Sequence, residues 1–444
     1  MSYTSKSGRR PDEYASKSAH SQIIRDPSVQ AFLRQCRLPA RSEDVKLAEQ
    51  HSVAYKPVAH NPIRHIIAVD GGYDHITIRE GFPSATICFF QLGALTFSVA
   101  DLESLSQQPF IDPEDITKLK QIQRLKLVMP IRNVALQGQG TLTDSVRFAI
   151  YRFFQQRMGD ECLMDSLRWL IFQEFDNTRS AWRLSSCPLC DSRQIPLRRD
   201  EMTNHYTFVC EDCQGEIYFT DVLRLHERID DELGAGEILA YTITSIEQFI
   251  LVHLIRLILN LKPGLLEEIL FIKDGPLAFF GPTLNIQRPM RALIQYLFEN
   301  YNLYVTGIEK SGGFVEHADE IADELEMGTV LIMDNDYICH YVLPGVGELS
   351  RPYGSSTYYS HKVIFKARDG SMYVASLPVP QLKTSPHATD FRNLQVILTN
   401  IEKLKCDMYD SALVPVALVN KMVSLSHHPS SRILQRFAMS SMSS

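Results

Sequence analysis

Ile269-Leu270-Phe271-Ile272-Lys273-Asp274-Gly275-Pro276-Leu277 is the stretch on which the fold turns. Its short apolar run has the length and residue types of a strand buried on both faces. Gly275 then lets the backbone turn sharply or approach a ligand, which puts Asp274 at the rim of a sheet. A second run of the same design, Ile66-Ile67-Ala68-Val69-Asp70-Gly71-Gly72, lies far upstream. Each Asp-Gly pair, taken alone, is ordinary turn chemistry. Two carboxylates at strand ends of one sheet could also share a divalent cation.

Outward from these runs, strands are expected at 76–78, 85–91 and 94–99, closely spaced as in a meander. Asp112-Pro113-Glu114-Asp115 has the cap residue, proline and first-turn acids of a helix start. A long helical region is expected from Thr143 to about Phe175, then helices over 244–260, 286–300 and 314–326, with a strand over 303–308. A hairpin joins 363–367 to 372–375 across Arg368-Asp369-Gly370-Ser371, and helix runs from Phe391 to about Ser424. Strands first, then helices alternating with strands, imply an α/β protein with a mixed sheet. The expected organisation is a partly disordered N-terminal arm (1–60), a core in two parts (61–183 and 223–425), an insertion (184–222) and a frayed Ser-rich tail (426–444).

The chain has 444 residues, 45% hydrophobic and 22% charged, as in ordinary soluble globular proteins. A net charge of −7 excludes an all-over basic coat but not a local basic groove. The nine cysteines include scattered singles, which suits a reducing compartment. The N-terminus has Lys6, Arg9, Arg10 and Lys17 and no apolar signal region, and the apolar stretch 246–261 carries Glu247, His253 and Arg256. No membrane segment and a cytoplasmic location are expected.

Cys187-Pro188-Leu189-Cys190 and Cys210-Glu211-Asp212-Cys213 are two CxxC knuckles. Four thiolates complete a tetrahedral Zn²⁺ shell with no open position, which implies a structural zinc ribbon; a redox pair would need only one CxxC. Between the knuckles, Arg193, Arg198, Arg199, His205 and Tyr206 could grip phosphate and stack on bases, or simply be a solvated surface.

Glu247 lies in the first turn of an expected helix that is apolar nearly all round. The helix dipole favours an acid there. A third metal carboxylate is the sharper reading, since Mg²⁺ or Mn²⁺ pairs held by oxygen ligands cleave phosphodiesters.

In this order, Val69-Asp70-Gly71, Glu247 and Phe271-Ile272-Lys273-Asp274-Gly275-Pro276-Leu277 resemble the NurA nuclease family. Gly307-Ile308-Glu309-Lys310-Ser311 looks like that family's strand-to-loop segment with its lysine. Val363-Ile364-Phe365-Lys366 through Leu377-Pro378-Val379-Pro380 looks like its late hairpin, and Val414-Pro415-Val416-Ala417-Leu418-Val419-Asn420-Lys421-Met422 like its closing helix. The resemblance covers about residues 64–425 without the cysteine insertion. It implies an RNase H-like mixed sheet flanked by helices, with an inserted four-cysteine zinc ribbon. It also implies a Mn²⁺- or Mg²⁺-dependent DNA nuclease that works as a homodimer beside a HerA-type hexameric ATPase, in DNA end processing or anti-phage defence. Asp70, Glu247 and Asp274 would hold the metals, with Asn420 a further oxygen ligand, and Lys310 would meet the scissile phosphate.

Three departures stand out: Gly72 where the family has Ser, Asn420 where it has His, and the cysteine insertion. His361, His387, His427 and His428 are possible substitutes for the missing histidine. Tyr358, Tyr359 and Lys362 could line a strand path or be cross-strand packing. No G-x-x-x-x-G-K-[ST] occurs, so ATP-driven movement would come from a partner. The alternative function is a catalytically silent subunit that binds DNA or a motor through the ribbon.

Overall fold

A computed structural model describes residues 17–36, 38, 41, 43, 45, 51–79, 81, 83–100, 123–345, 350–409, 411–425 and 430–442. The expected helix start at 112–115 and His427 and His428 lie outside them.

The strands of the main sheet, in chain order, are β1 (Ser52–Ala54), β2 (His65–Arg79), β3 (Ala85–Ser98), β4 (Gln123–Arg132), β5 (Ile269–Asp274), β6 (Tyr304–Glu309), β7 (Thr329–Ile332), β8 (Ser360–Lys366) and β9 (Met372–Pro378). Their order across the sheet is β1-β7-β8-β9-β6-β5-β2-β3-β4. β5 runs parallel to both β2 and β6, and every other pairing is antiparallel. The helices are α1 (Lys17–Arg25), α2 (Pro27–Gln35), α3 (Leu142–Phe154), α4 (Leu163–Ile171), α5 (Leu239–Leu261), α6 (Gln287–Asn300), α7 (Gly313–Glu320), α8 (Leu394–Lys403), α9 (Val414–Val423) and α10 (Ser430–Met442).

Alternation along the central strands feeds two cores. Ile67, Val69, Ile269 and Phe271 join α3, α4, α5 and α6 on one face. Ile66, Ala68, Leu270 and Ile272 join α8 and α9 on the other. α5 is long and apolar enough to cross a membrane, but most of it is buried inside the fold, as its all-round apolar sequence requires.

Several expectations are corrected. Asp70-Gly71 is not a strand end. β2 runs straight through it for 15 residues, because β3 pairs with it continuously from His65↔Ser98 to Thr77↔Thr86. The ladder satisfies the backbone that a turn would otherwise have exposed. The 94–99 segment likewise belongs to one long β3. The helical region after Thr143 is two helices, α3 and α4, broken by a small hairpin at Arg157–Met158 and Glu161–Cys162. α7 stops at Glu320, and β7, which the sequence reading passed over, follows it. Ser52–Ala54, placed in the N-terminal arm, is an edge strand on β7. The Ser-rich tail contains α10, which packs Leu434 and Ala438 against Ile76, Ile78 and Ile87 of the outer β2–β3 ladder.

The cysteine-bearing insertion is integral to the first core. Trp182, Leu184, Leu197, Phe208, Ile217 and Phe219 belong to it, and Phe219 stacks on Phe172 at 5.3 Å between ring centres. Arg147 of α3 makes a buried two-pronged bond to Asp221, Nε–Oδ1 3.0 Å and Nη2–Oδ2 2.8 Å, which ties the insertion to the sheet's helical layer.

Gly72 also has a packing explanation. A Cβ there would lie 2.6 Å from the Val423 carbonyl oxygen at the end of α9. Gly72→Ser is therefore expected to cost roughly 2 kcal/mol through overpacking, read as a lower urea midpoint. An unchanged midpoint would mean that α9 yields at no cost.

Candidate metal and phosphodiester site

The parallel pairing places the acids. Lys273 of β5 is level with Val69 of β2, so Asp274 and Asp70 stand one step on, where β5 ends and β2 continues. By alternation both fall on the α9 face of the sheet, with Ala68 and Ile272. Gly275, at φ +83°, makes the turn expected after Asp274, in a backbone region that suits glycine. Glu247 comes from α5 on the opposite face and passes Gly71, where a Cβ would stand 3.1 Å from its Oε1 and 2.9 Å from Ile243. Gly71 is thus the gap through which the third carboxylate reaches the first two.

The electrostatics of the trio are uneven. Glu247 Oε2 is 2.6 Å from Lys273 Nζ, and Asp274 Oδ2 is 2.7 Å from Lys310 Nζ. Lys273 also donates to the Asp274 carbonyl at 2.5 Å. Asp70 has no lysine. Its Oδ1 accepts from the Gly71 N–H at 2.7 Å, while its buried Oδ2 has no hydrogen-bond partner. Burial, then the charges of Asp274 and Glu247, raise the Asp70 carboxyl to about 7, and the Asn420 amide and the Gly71 N–H pull it the other way. Burial also raises Glu247, against the opposing pull of Lys273.

An orphaned buried carboxylate oxygen beside two further carboxylates and an exposed amide is a hard-oxygen donor set that fits Mg²⁺ or Mn²⁺. The acids are not drawn into a tight cage. Among the described residues, only the four cysteines bring three or more potential ligand atoms within 4.8 Å of one another. The physical reason is that ammonium groups hold Glu247 and Asp274, so a cation would take over charge that the lysines now balance.

The structure therefore brings together Asp70, Glu247, Asp274, Lys310 and Asn420. Of the substitute histidines within the described residues, it brings in neither His361 nor His387. His361 accepts from the Lys383 N–H at 3.0 Å, and burial lowers it to about 4. Tyr358, Tyr359 and Lys362 are buried, Tyr359 at 0% exposure, so they offer no platform to a strand; the two tyrosines precede β8 and pack on Phe280 and Phe279. Lys362 is committed to Glu309 at 2.9 Å.

Sequence reasoning gave Lys273 no role, although a lysine inside a run of Ile, Leu and Phe is a legible signal of a buried ion pair. It also missed Gln248, whose Nε2 donates to the carbonyls of Pro276 and Ala278 at 3.3 Å and whose Oε1 accepts from Tyr359 Oη at 2.5 Å. This side chain shapes the loop after Asp274. Gln91 likewise donates to the Met422 carbonyl at 2.6 Å and holds the end of α9 on β3.

The second centre is compact. Cys187 and Cys213 Sγ are 3.9 Å apart, and Cys190 and Cys210 Sγ 3.8 Å, with all four sulfurs within 4.8 Å. A tetrahedron of Zn–S bonds of about 2.3 Å has edges of about 3.8 Å, so the four thiols fit one zinc. Of the intervening residues, Arg198 pairs with Glu201 at 2.8 Å, Arg199 lies 4.0 Å from Glu174, and Tyr206 Oη donates to Asp165 at 2.6 Å.

The molecule is thus a mixed α/β protein with helices on both faces of its sheet, an acidic site where β5 ends beside the continuing β2, and a four-cysteine centre. No family model and no curated protein matches the chain. Among solved structures it is similar to the NurA nuclease from Sulfolobus solfataricus, with 8% identity, 96% of this chain and 97% of that chain covered, and a TM-score of 0.32. It is also similar to a NurA structure with manganese, at 11% identity, 86% and 89% coverage and a TM-score of 0.27. Likeness at this level carries no assignment by itself.

Proposed function

We propose that the protein is a metal-dependent DNA nuclease with an RNase H-like sheet, and that Asp70, Glu247, Asp274 and Asn420 hold its metals. The observation that carries this reading is the buried Asp70 carboxyl, on which the charges of Asp274 and Glu247 and the Asn420 amide converge. Burial and two neighbouring acids hold this carboxyl well above its ordinary range, a cost that a bound cation would relieve. Bound Mn²⁺ or Mg²⁺ supplies activation of water and charge stabilisation at the leaving oxygen. The chain's own residues do the rest. The end of β5 sets Asp274 beside Asp70 of the continuing β2, the Lys273 ammonium holds Glu247 and draws it toward its ionised form against the effect of burial, and the partly exposed Lys310 offers its ammonium to the scissile phosphate. Asn420 can ligate through its amide oxygen but cannot take a proton, so no base is assigned to it.

The resemblance in the ordered motifs extends the proposal to a homodimer working with a HerA-type hexameric ATPase in end processing or defence. Co-elution with such an ATPase on size exclusion tests the partnership, and separate elution contradicts it.

Mn²⁺-dependent cleavage of linear DNA tests the activity. Lys310→Ala is expected to lower kcat by about 10²-fold with a smaller change in KM, as for loss of one charge-stabilising group. Full activity in that variant would remove Lys310 from the mechanism, and no cleavage by the parent chain would contradict the nuclease reading.

A further inference from the structure

A cleft of about 400 Å³ lies between the first hairpin of the insertion (Ala181–Ser186 with Arg193–Arg198) and the start of α6. Arg179, Trp182, Arg183, Gln194, Asn285 and Arg288 line it, and no lining residue is a carboxylate. We propose that this cleft binds the phosphodiester backbone of single-stranded nucleic acid without regard to base sequence. The proposal rests on the nuclease reading for its substrate class, and it gives the insertion a role beyond stapling the fold.

Three observations carry it. The first is uncompensated charge. Arg198 and Arg199, on the same insertion, have acidic partners, but Arg183 and Arg288 are exposed and meet no carboxylate among the described residues. Like charge gathers further in α6, since burial and the charge of Arg288 lower both Arg179 and Arg291. In a chain of net charge −7, such a cluster makes a local field that an anion relieves.

The second is the helix end. Arg288 sits in the first turn of the 14-residue α6, which has no acid there and no side-chain cap. A positive side chain at the positive end of the dipole is unfavourable unless an anion joins it.

The third is preorganisation. The Arg179 guanidinium lies 4.8 Å from the Trp182 ring centre, and its Nε donates to the Ala181 carbonyl at 3.0 Å. The fork is thus fixed before any ligand arrives. Three guanidinium forks, two from residues 179–183 and one from α6, with the amides of Gln194 and Asn285, suit a repeating anion better than a single carboxylate. Trp182 is only 6% exposed, so bases gain no stacking platform and recognition falls to the backbone. The cleft follows the acidic site along the chain. The segment after Asp274 leads directly to Asn285 and Arg288, and Arg291 anchors α6 by donating to the carbonyls of Ser355 at 2.8 Å and Tyr358 at 2.5 Å.

The test is fluorescence anisotropy with a labelled oligothymidylate and no added divalent cation, so that binding is read apart from cleavage. Combined Arg179→Gln, Arg183→Gln and Arg288→Gln is expected to weaken Kd at least about tenfold and to reduce the slope of log Kd against log salt by about 2. Arg198→Gln with Arg199→Gln is expected to leave Kd within about twofold. The exposed single change Arg183→Glu, which leaves the packed Arg179–Trp182 pair intact, is expected to weaken binding as well. Unchanged Kd in the triple variant and in Arg183→Glu overturns the proposal, as does stronger competition by polyglutamate than by unlabelled oligothymidylate. With Mn²⁺ added, a parent that cuts DNA while the triple variant binds and cuts equally well defeats the cleft alone. A parent that binds through the arginines yet cuts nothing defeats the nuclease reading and leaves the cleft standing.

Discussion

Asp70→Asn is expected to be more stable than the parent chain without metal at pH 8, and inert as a nuclease. Burial and the neighbouring acids raise the Asp70 carboxyl to about 7 from an ordinary 3.8. Between those values the folded protein keeps a proton that the unfolded chain has released. The stability this group contributes is therefore complete below about pH 4 and falls as pH rises through 7. Above that, the ionised carboxylate costs on the order of 4 kcal/mol, from about 1.4 kcal/mol per pKa unit. Asparagine removes the charge at constant shape. Urea midpoints of parent and variant should converge near pH 4 and separate by that order at pH 8. The variant cannot ligate as an anion, so Mn²⁺-dependent cleavage should fall by at least about 10³-fold. Equal midpoints at pH 8 would mean that the carboxylate bears no strain.

Loss of zinc is expected to have the largest effect on folding. Cys187, Cys190, Cys210 and Cys213 are placed so that they can hold one metal ion, and the segment that carries them shares the main core. Structural zinc sites contribute about 10–16 kcal/mol of apparent binding free energy, which is folding free energy here. The purified chain should hold one zinc per protomer. A strong chelator or Cys210→Ser should unfold the insertion and red-shift the emission of Trp182 and Trp169, both buried in the shared core. A zinc-free chain with native emission would make the cysteines a thiol cluster of another kind.

The sequence made some of this site legible and hid the rest for identifiable reasons. The cysteine centre needed only ligand spacing. Asp274 and its turn were legible because Gly275 takes the left-handed conformation that its local signal suggested. Asp70 was misjudged as a strand end, since Asp-Gly-Gly is turn chemistry and only the distant β3 keeps it extended. The same glycines are present for close approach, Gly71 to Glu247 and Gly72 to Val423, and approach is a tertiary fact that no local pattern carries. Gly72 therefore counts as packing and gives no support to a silent subunit. Lys362 and its tyrosine neighbours looked available because alternation says which residues share a face, not whether α7 covers that face; Phe314 of α7 lies 4.0 Å from the Lys362 ammonium. The arginine cluster was missed because Arg288 lies far along the chain from Arg179 and Arg183, and only the packing of α6 against the hairpin brings them together.

The central claim is that Asp70, Glu247 and Asp274 form one divalent-cation site. Electron paramagnetic resonance of Mn²⁺ titrated into the zinc-loaded protein tests it most directly, because bound and free Mn²⁺ differ in signal whether or not DNA is cut. The account predicts saturable Mn²⁺ binding that weakens below about pH 7, where Asp70 takes up its proton, and that is lost in Asp70→Asn and in Asp274→Asn. Mn²⁺ binding of unchanged strength in both variants would contradict it.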